Sequence, residues 1–264
     1  MSNALIDSAG TPESIAEELS GLHPADIASA LERADIGGEL LTRILGFMDT
    51  ETAADVVINL DEGTVGGILE MLEPPEIAEI TTELESDDAA DVVGLLDDDK
   101  KARVLSQLDS DDRKAVEELL QYTDESAGGI MASELIYVNK DALVDDAIAL
   151  IRSAAEEVEE IHNVYITDNN RRLIGVLPLG VLVLAPRGTR VAERMDPDVV
   201  SVSTDMDQED VAKVFMKYDL VAIPVTDPEG VLVGRITSDD IMDVIRDEAE
   251  EDISIMAGTR EEER

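Results

Sequence analysis

The chain contains no cysteine and no tryptophan, and its 264 residues include only four Tyr and two Phe. Without cysteine there is neither a disulfide nor a thiolate metal site, a composition that fits a cytoplasmic protein. Aromatic residues at 2% leave no stacking platform for single-stranded nucleic acid. Positive charge is equally scarce: 20 Lys and Arg face 62 Asp and Glu, a formal net charge of −42. Such a field repels phosphate backbones and anionic lipid surfaces, so nucleic acid is not an expected partner. The opening MSNALIDSAGTPES lacks the basic region and apolar core of a signal peptide. The most apolar segment, Leu173 to Pro186, is interrupted by Gly175, Pro178 and Gly180. It falls short of the roughly 20 apolar residues a membrane span needs. No Gly-rich phosphate loop follows a strand and no nucleophile sits beside a base, so the sequence reads as non-enzymatic.

Apolar residues make up 44% of the chain, ample for cores. The excess of carboxylates has two readings. One is the solvated surface of a halophilic protein, kept soluble in molar salt. The other is binding of hard divalent cations, which carboxylate oxygens suit.

The first half is an internal repeat. Leu60-Asp61, Leu72-Glu73, Leu84-Glu85, Leu96-Asp97 and Leu108-Asp109 recur every 12 residues, with Met48-Asp49 and Leu120-Gln121 extending the series. After each pair comes Pro, Asp, Ser or Thr and then an apolar-periodic run, so each unit is a turn, an N-cap and a helix of about 8–10 residues. Helices that short are not stable alone and must stack side by side. Residues 22–122 therefore form either a helical superhelix or a compact irregular bundle. Before them, residues 1–21 read as a flexible lead-in carrying a short helix from Pro12 to Leu19.

TDESAGG, 123–129, breaks the helical pattern. Two copies of one module follow. Val138 to Asp141 answers Val202 to Asp205 at an offset of 64, whereas Asp168 answers Asp227, and Gly175 answers Gly234, at an offset of 59. The first copy thus carries five extra residues, around AAEEVEE. Each copy reads strand, helix, strand, turn, strand, helix. In the second copy the helices are Gln208 to Tyr218 and Ser238 to Glu248, flanking strands Val221 to Thr226 and Val231 to Ile236. His23 and His162, far apart in the sequence, read as structural, and Met131, Met195, Met206, Met216, Met242 and Met256 as packing residues.

LHPADIA (22–28), SDDAADVV (86–93), ESAGGIM (125–131), KYDLVAIPV (217–225) and ITSDDIMDV (236–244) resemble the MgtE family of magnesium transporters. The repeat resembles that family's N-terminal domain and the twin modules a pair of CBS domains. The implied fold class is α+β: an all-α superhelical repeat domain, then CBS domain 1 (131–186), CBS domain 2 (195–253) and an acidic tail (254–264). By resemblance, Mg²⁺ ions bind between the helical domain and the CBS pair and hold the cytosolic region compact. The matching positions are Asp87 and Asp91; Asp207, Glu209 and Asp219; Asp240 and Asp243; and Glu248, Glu251 and Asp252. Asp87 and Asp91, four apart, leave one helix face, although SDD also stands where a helix begins.

CBS pairs also take adenine nucleotides between modules, ATP among them. The second module keeps the signature in Thr237 and Asp240, while the first has Pro178 and Val181 at the corresponding positions. The resemblance further implies a homodimer through the CBS pairs and a membrane-embedded pore partner, with this chain at the cytoplasmic face of the membrane. The chain stops at MAGTREEER, before any pore, so it reads as a piece of a longer transporter or a separately encoded subunit. The alternatives are a free-standing nucleotide-sensing CBS protein and a scaffold whose repeat grips another protein.

Overall fold

The computed structural model describes residues 10–34, 36–154 and 161–262, with the side chains of 250–252 and 254–262 excepted. The five extra residues expected around AAEEVEE in the first module fall at 155–160, outside the described residues. Two compact units divide the chain, one running to Leu120 and the other starting at Gln121.

In the first unit the 12-residue repeat becomes nine helices among the described residues: α1 Pro12–Leu19, α2 Pro24–Arg33, α3 Gly38–Leu45, α4 Thr50–Ile58, α5 Glu62–Met71, α6 Pro74–Thr82, α7 Ser86–Gly94, α8 Asp98–Leu105 and α9 Ser110–Leu119. The acid of each Leu-acid pair is itself the N-cap. Asp49 accepts hydrogen bonds from the Thr52 backbone N–H at 3.0 Å and from its hydroxyl at 2.9 Å. Asp61 treats Thr64 the same way, at 3.0 and 2.6 Å. Both carboxyls are held below the ordinary Asp value, Asp49 first by the Thr52 N–H and Asp61 first by the Thr64 hydroxyl. Asp97 and Asp109 cap α8 and α9. At the other end of α5, the Lys100 ammonium donates to the carbonyls of Leu69 and Glu70, groups that no helical N–H satisfies.

Apolar stripes then decide the packing. Helices meet their next-but-one neighbours, α1 on α3, α2 on α4, α3 on α5, α4 on α6, α6 on α8 and α7 on α9. That is the layering of a superhelical stack, and Ile27, Ile44, Ile68, Ile77, Val93 and Val104 are fully buried within it. The helix α1 belongs to the stack and is no mere lead-in, because Ile15, Ala16 and Leu19 are buried.

The second unit holds the two modules. In the first, β1 (Tyr137–Asn139), α10 (Val144–Ala154), β2 (Asn163–Thr167), β3 (Leu173–Pro178) and the short α11 (Leu179–Leu184) follow one another. The second has β4 (Val202–Ser203), α12 (Gln208–Tyr218), β5 (Ala222–Thr226), β6 (Leu232–Thr237) and α13 (Ser238–Glu262). Each sheet pairs its first two strands in parallel, across a helix, and its last two as an antiparallel hairpin. The hairpin turns are built alike: Asp168 caps the N–H groups of Asn170 and Arg172, and Asp227 those of Glu229 and Val231. At the left-handed turn position the second module has Gly230 (φ 80°) and the first has Arg171 (φ 59°). The Arg171 guanidinium compensates by stacking over Tyr137 at 4.8 Å and donating to the Leu232 carbonyl of the other module at 3.3 Å. The helix expected to close near Glu248 runs on to Glu262, so 254–262 of the acidic tail is helix at its backbone.

The segment leading into each module crosses to the other one. Ala132, before β1, exchanges two backbone hydrogen bonds with Arg235 of β6, at 2.8 and 2.9 Å; Asp196, before β4, exchanges two with Val176 of β3, at 2.8 and 2.9 Å. Each crossing presses a methionine onto a glycine, Met131 onto Gly234 and Met195 onto Gly175, so these two pack as the sequence suggests, whereas Met216 and Met242, also read as packing residues, are exposed on helix surfaces. A methyl group on Gly234 would lie 2.6 Å from the Met131 sulfur and 2.8 Å from the Ala132 carbonyl oxygen, whereas the three atoms nearest to one on Gly175 all belong to the Met195 side chain. Gly234→Ala should therefore destabilise the second unit by about 1–3 kcal/mol, and Gly175→Ala by clearly less. Urea denaturation followed by circular dichroism measures both; equal losses would mean that the backbone contact is not the source.

Candidate divalent-ion site

The acids singled out in the sequence stand on three helices, α7, α12 and α13. On α7, Asp87 occupies the second helical position, with Glu85 as N-cap, and Asp91 lies one turn on. Asp87 is buried, 7% exposed, and Asp91 is exposed. A carboxylate in the first turn is favoured by the helix dipole, so Asp87 also serves the helix.

Asp207 is the N-cap of α12 and accepts from the Glu209 N–H at 3.0 Å. With Asp124, Glu125 and Asp205 it lines an open depression of about 530 Å³. Glu209, in the first turn, accepts from the Lys213 ammonium at 3.3 Å, which also reaches Asp210 at 2.9 Å. Asp219 closes α12 in the left-handed conformation, φ 51° and ψ 48°, which Asp tolerates better than most residues. On α13, Glu248 accepts from the Gln208 side-chain amide at 3.1 Å. This bond brings Asp207, Glu209 and Glu248 to one end of α12, with Asp219 at the other.

Asp240 and Asp243 stand on the first two turns of α13. One oxygen of Asp240 accepts from both the N–H (2.7 Å) and the hydroxyl (3.0 Å) of Thr237, and the hydroxyl also contacts Asp239. This closes the start of α13 in the manner of a capping box. Burial is the largest influence on the Asp240 carboxyl, and with Asp239 nearby it is pushed up to about 6 against the pull of the Thr237 bonds. Asp243 is raised as well, first by burial and then by Asp247, while Arg246 draws it down. Arg246 bridges the two, at 2.8 Å to Asp243 and 3.4 Å to Asp247. Glu251 and Asp252 lie on α13, but their side chains are outside the described residues.

Among the described residues no three His, Cys, Asp or Glu side chains converge within reach of one ion. The acids are instead arranged as pairs and capping groups. Sequence reasoning missed the cations and amides that attend them: Lys213, Arg246 and Gln208. The spacings Glu209-x-x-x-Lys213 and Asp243-x-x-Arg246 could have revealed two of these.

Residues 22–125 match the MgtE intracellular N domain, and 127–186 and 191–247 each match the CBS domain. The chain belongs to the MgtE family. It is 46% identical over 138 residues to the magnesium transporter MgtE of Thermus thermophilus, a match covering 52% of this chain and 31% of that one. The chain spans about a third of the length of the curated magnesium transporters it matches. Among solved structures it resembles the cytosolic domain of the Mg²⁺ channel MgtE in complex with ATP, at 37% identity and a TM-score of 0.82, over 88% of this chain and 94% of that one. The soluble part of a magnesium transporter is similar too, at 31% identity and 0.79, over 90% and 93%. The α+β class, a helical repeat followed by a CBS pair, is thus the family's own. Among the described residues no helix is long and apolar enough to cross a membrane.

The donors these MgtE-family helices present are all oxygen, the chemistry a hard divalent cation prefers. Carboxyls raised by burial and by neighbouring acids, as at Asp243, are ones a cation would relieve. Arg246, at 62% side-chain exposure, pairs too weakly to exclude such an ion. One consequence is measurable without metal. Asp240 titrates higher folded than unfolded, so its ionisation costs stability as the pH climbs from about 4 to about 6, and its contribution is greatest in acid. Asp240→Asn should flatten the decline of unfolding free energy across that window by close to one proton per molecule. Parallel pH profiles for variant and parent would show that the carboxyl is not perturbed.

Proposed function

We propose that this chain is the Mg²⁺-sensing cytosolic regulatory region of an MgtE-type magnesium transporter, and that divalent-dependent compaction of this region gates magnesium transport. The observation that carries the reading is the likeness, over nearly the whole chain, to the solved cytosolic domain of a Mg²⁺ channel. Its acids at the matching positions stand on elements of both units, Asp87 and Asp91 on α7 and the remainder on α12 and α13. Mg²⁺ keeps most of its waters and takes one or two carboxylates directly. Ions shared between α7 and the second module would offset the repulsion among these acids, and their loss would release the two units. The remaining acids, Glu248, Glu251 and Asp252, follow along α13 towards the segment that joins such regions to a pore.

The functional partners are a second copy of the chain and a membrane-embedded pore. Exposed apolar side chains on the modules support the first: Leu150, Val181 and Leu184 on one, Met216, Met242 and Ile245 on the other. Such residues call for cover, and CBS pairs meeting face to face would supply it. A free-standing adenine-nucleotide sensor is the second reading. It draws on the relative solved with ATP and on Thr237 and Asp240.

Small-angle scattering at constant molar KCl tests the first reading directly. The radius of gyration should rise when Mg²⁺ is withdrawn, and unchanged dimensions would reduce the acids to a salt-adapted surface. Asp87→Ala combined with Asp91→Ala should make the chain near 123–130 cleave in limited proteolysis at millimolar Mg²⁺ as the parent does without it. Identical cleavage of variant and parent across the Mg²⁺ series would remove α7 from the ion-binding set.

A further inference from the structure

Arg235 is the one Lys or Arg side chain that is buried among the described residues, at 4% exposure. It leaves β6 of the second module and enters the cleft against the first, beside Leu135, Ile136, His162, Tyr165 and Ala222. Its Nε donates to the Glu134 carbonyl at 2.7 Å, and its backbone exchanges the two hydrogen bonds with Ala132. Taking a guanidinium out of water costs several kcal/mol unless its donors are met, so this placement is a built arrangement and not incidental packing. Burial keeps Tyr165 neutral, its hydroxyl pushed up to about 12, with Arg235 acting in the opposite direction.

The space left in this cleft is about 10 Å³, room for one water molecule. A nucleotide-sized ligand requires roughly 300 Å³ or more. On the first module's side, the positions that answer Thr237 and Asp240 are Pro178 and Val181, which offer neither a hydroxyl nor a carboxylate. Pro178, at the end of β3, pairs in register with Asn163 at the start of β2, itself a lining residue of this cleft.

We infer that Arg235 is a resident occupant of the first-module cleft: its guanidinium fills the site, fastens the two modules and shuts the cleft to adenine nucleotides. Docking of the modules here then needs no soluble ligand, and any nucleotide response of this chain comes from elsewhere. This inference stands apart from the Mg²⁺ reading, since neither needs the other.

The chain's two histidines give a local readout. His162 lines this cleft and His23 caps α2 in the other unit, so their imidazole proton resonances report the two places separately. AMP, ADP or ATP at millimolar concentration should leave the His162 resonances of the parent chain unmoved, and a saturable shift would overturn the inference. Arg235→Ala should lower the unfolding temperature, and millimolar methylguanidinium should restore it while shifting His162 saturably. If methylguanidinium does neither, Arg235 is not acting as an occupant. Should Arg235→Ala fail to fold, the parent titration decides by itself. Arg235→Lys, which keeps the charge without the planar fork, should then lower the unfolding temperature as well, and an unchanged temperature would show that the fork does not fasten the modules.

Discussion

A helix of 8–10 residues is shorter than the roughly 12–15 at which a helix begins to hold itself in water, and the first unit is made of nothing longer. Everything regular about that unit follows from this shortfall. Each helix depends on neighbouring helices for a buried face, and from α4 onward each starts at an acidic N-cap residue beside N–H groups that have no partner within the turn, where α1 and α2 use Thr11 and His23. A good share of the acidity in this half is therefore structural: Asp49, Asp61, Asp97 and Asp109 hold helices open at the N-terminus, whatever salt or ion surrounds them.

The second unit places the same demand on acids proposed to bind ions. Asp207 starts α12, Asp219 ends it and Asp240 closes the start of α13. A carboxylate with two free lone-pair directions can cap a helix and still face a hydrated cation, so the roles coexist, but they are not independent. Under the proposed ion binding, cation loss and helix-end fraying would be linked at these positions. Lys213 and Arg246, each reaching two acids, soften that link by providing a weak internal counter-ion on the same helices.

Much of this was legible in the sequence because local pattern and tertiary packing agree. The repeat of Leu-acid pairs marks helix starts to the residue, since the acid is the cap. The offsets of 64 and 59 give two modules because Asp168 and Asp227 make the same turn. The helix Gln208–Tyr218 appears with the expected bounds, and α13 overruns them because no Gly or Pro follows Glu248 before Gly258. What could not be read depends on contacts between distant positions. Nothing local says that Arg235 is buried, that Met131 sits over Gly234, or that Gln208 reaches Glu248. Nor does sequence spacing separate an acid that caps from one that waits for an ion, because both occur in the first turn of a helix.

The exchange of entry segments, Ala132 onto β6 and Asp196 onto β3, has an ancestral consequence. A single module cut from this pair would carry a lead-in shaped for a partner it no longer has, and a sheet edge awaiting a strand from elsewhere. Duplication of an ancestor that already docked on its own copy would produce such reciprocity in one event. From then on the halves could diverge in charge, in insertions and in ligand chemistry, as Pro178 and Val181 have from Thr237 and Asp240, while remaining inseparable as a unit of descent.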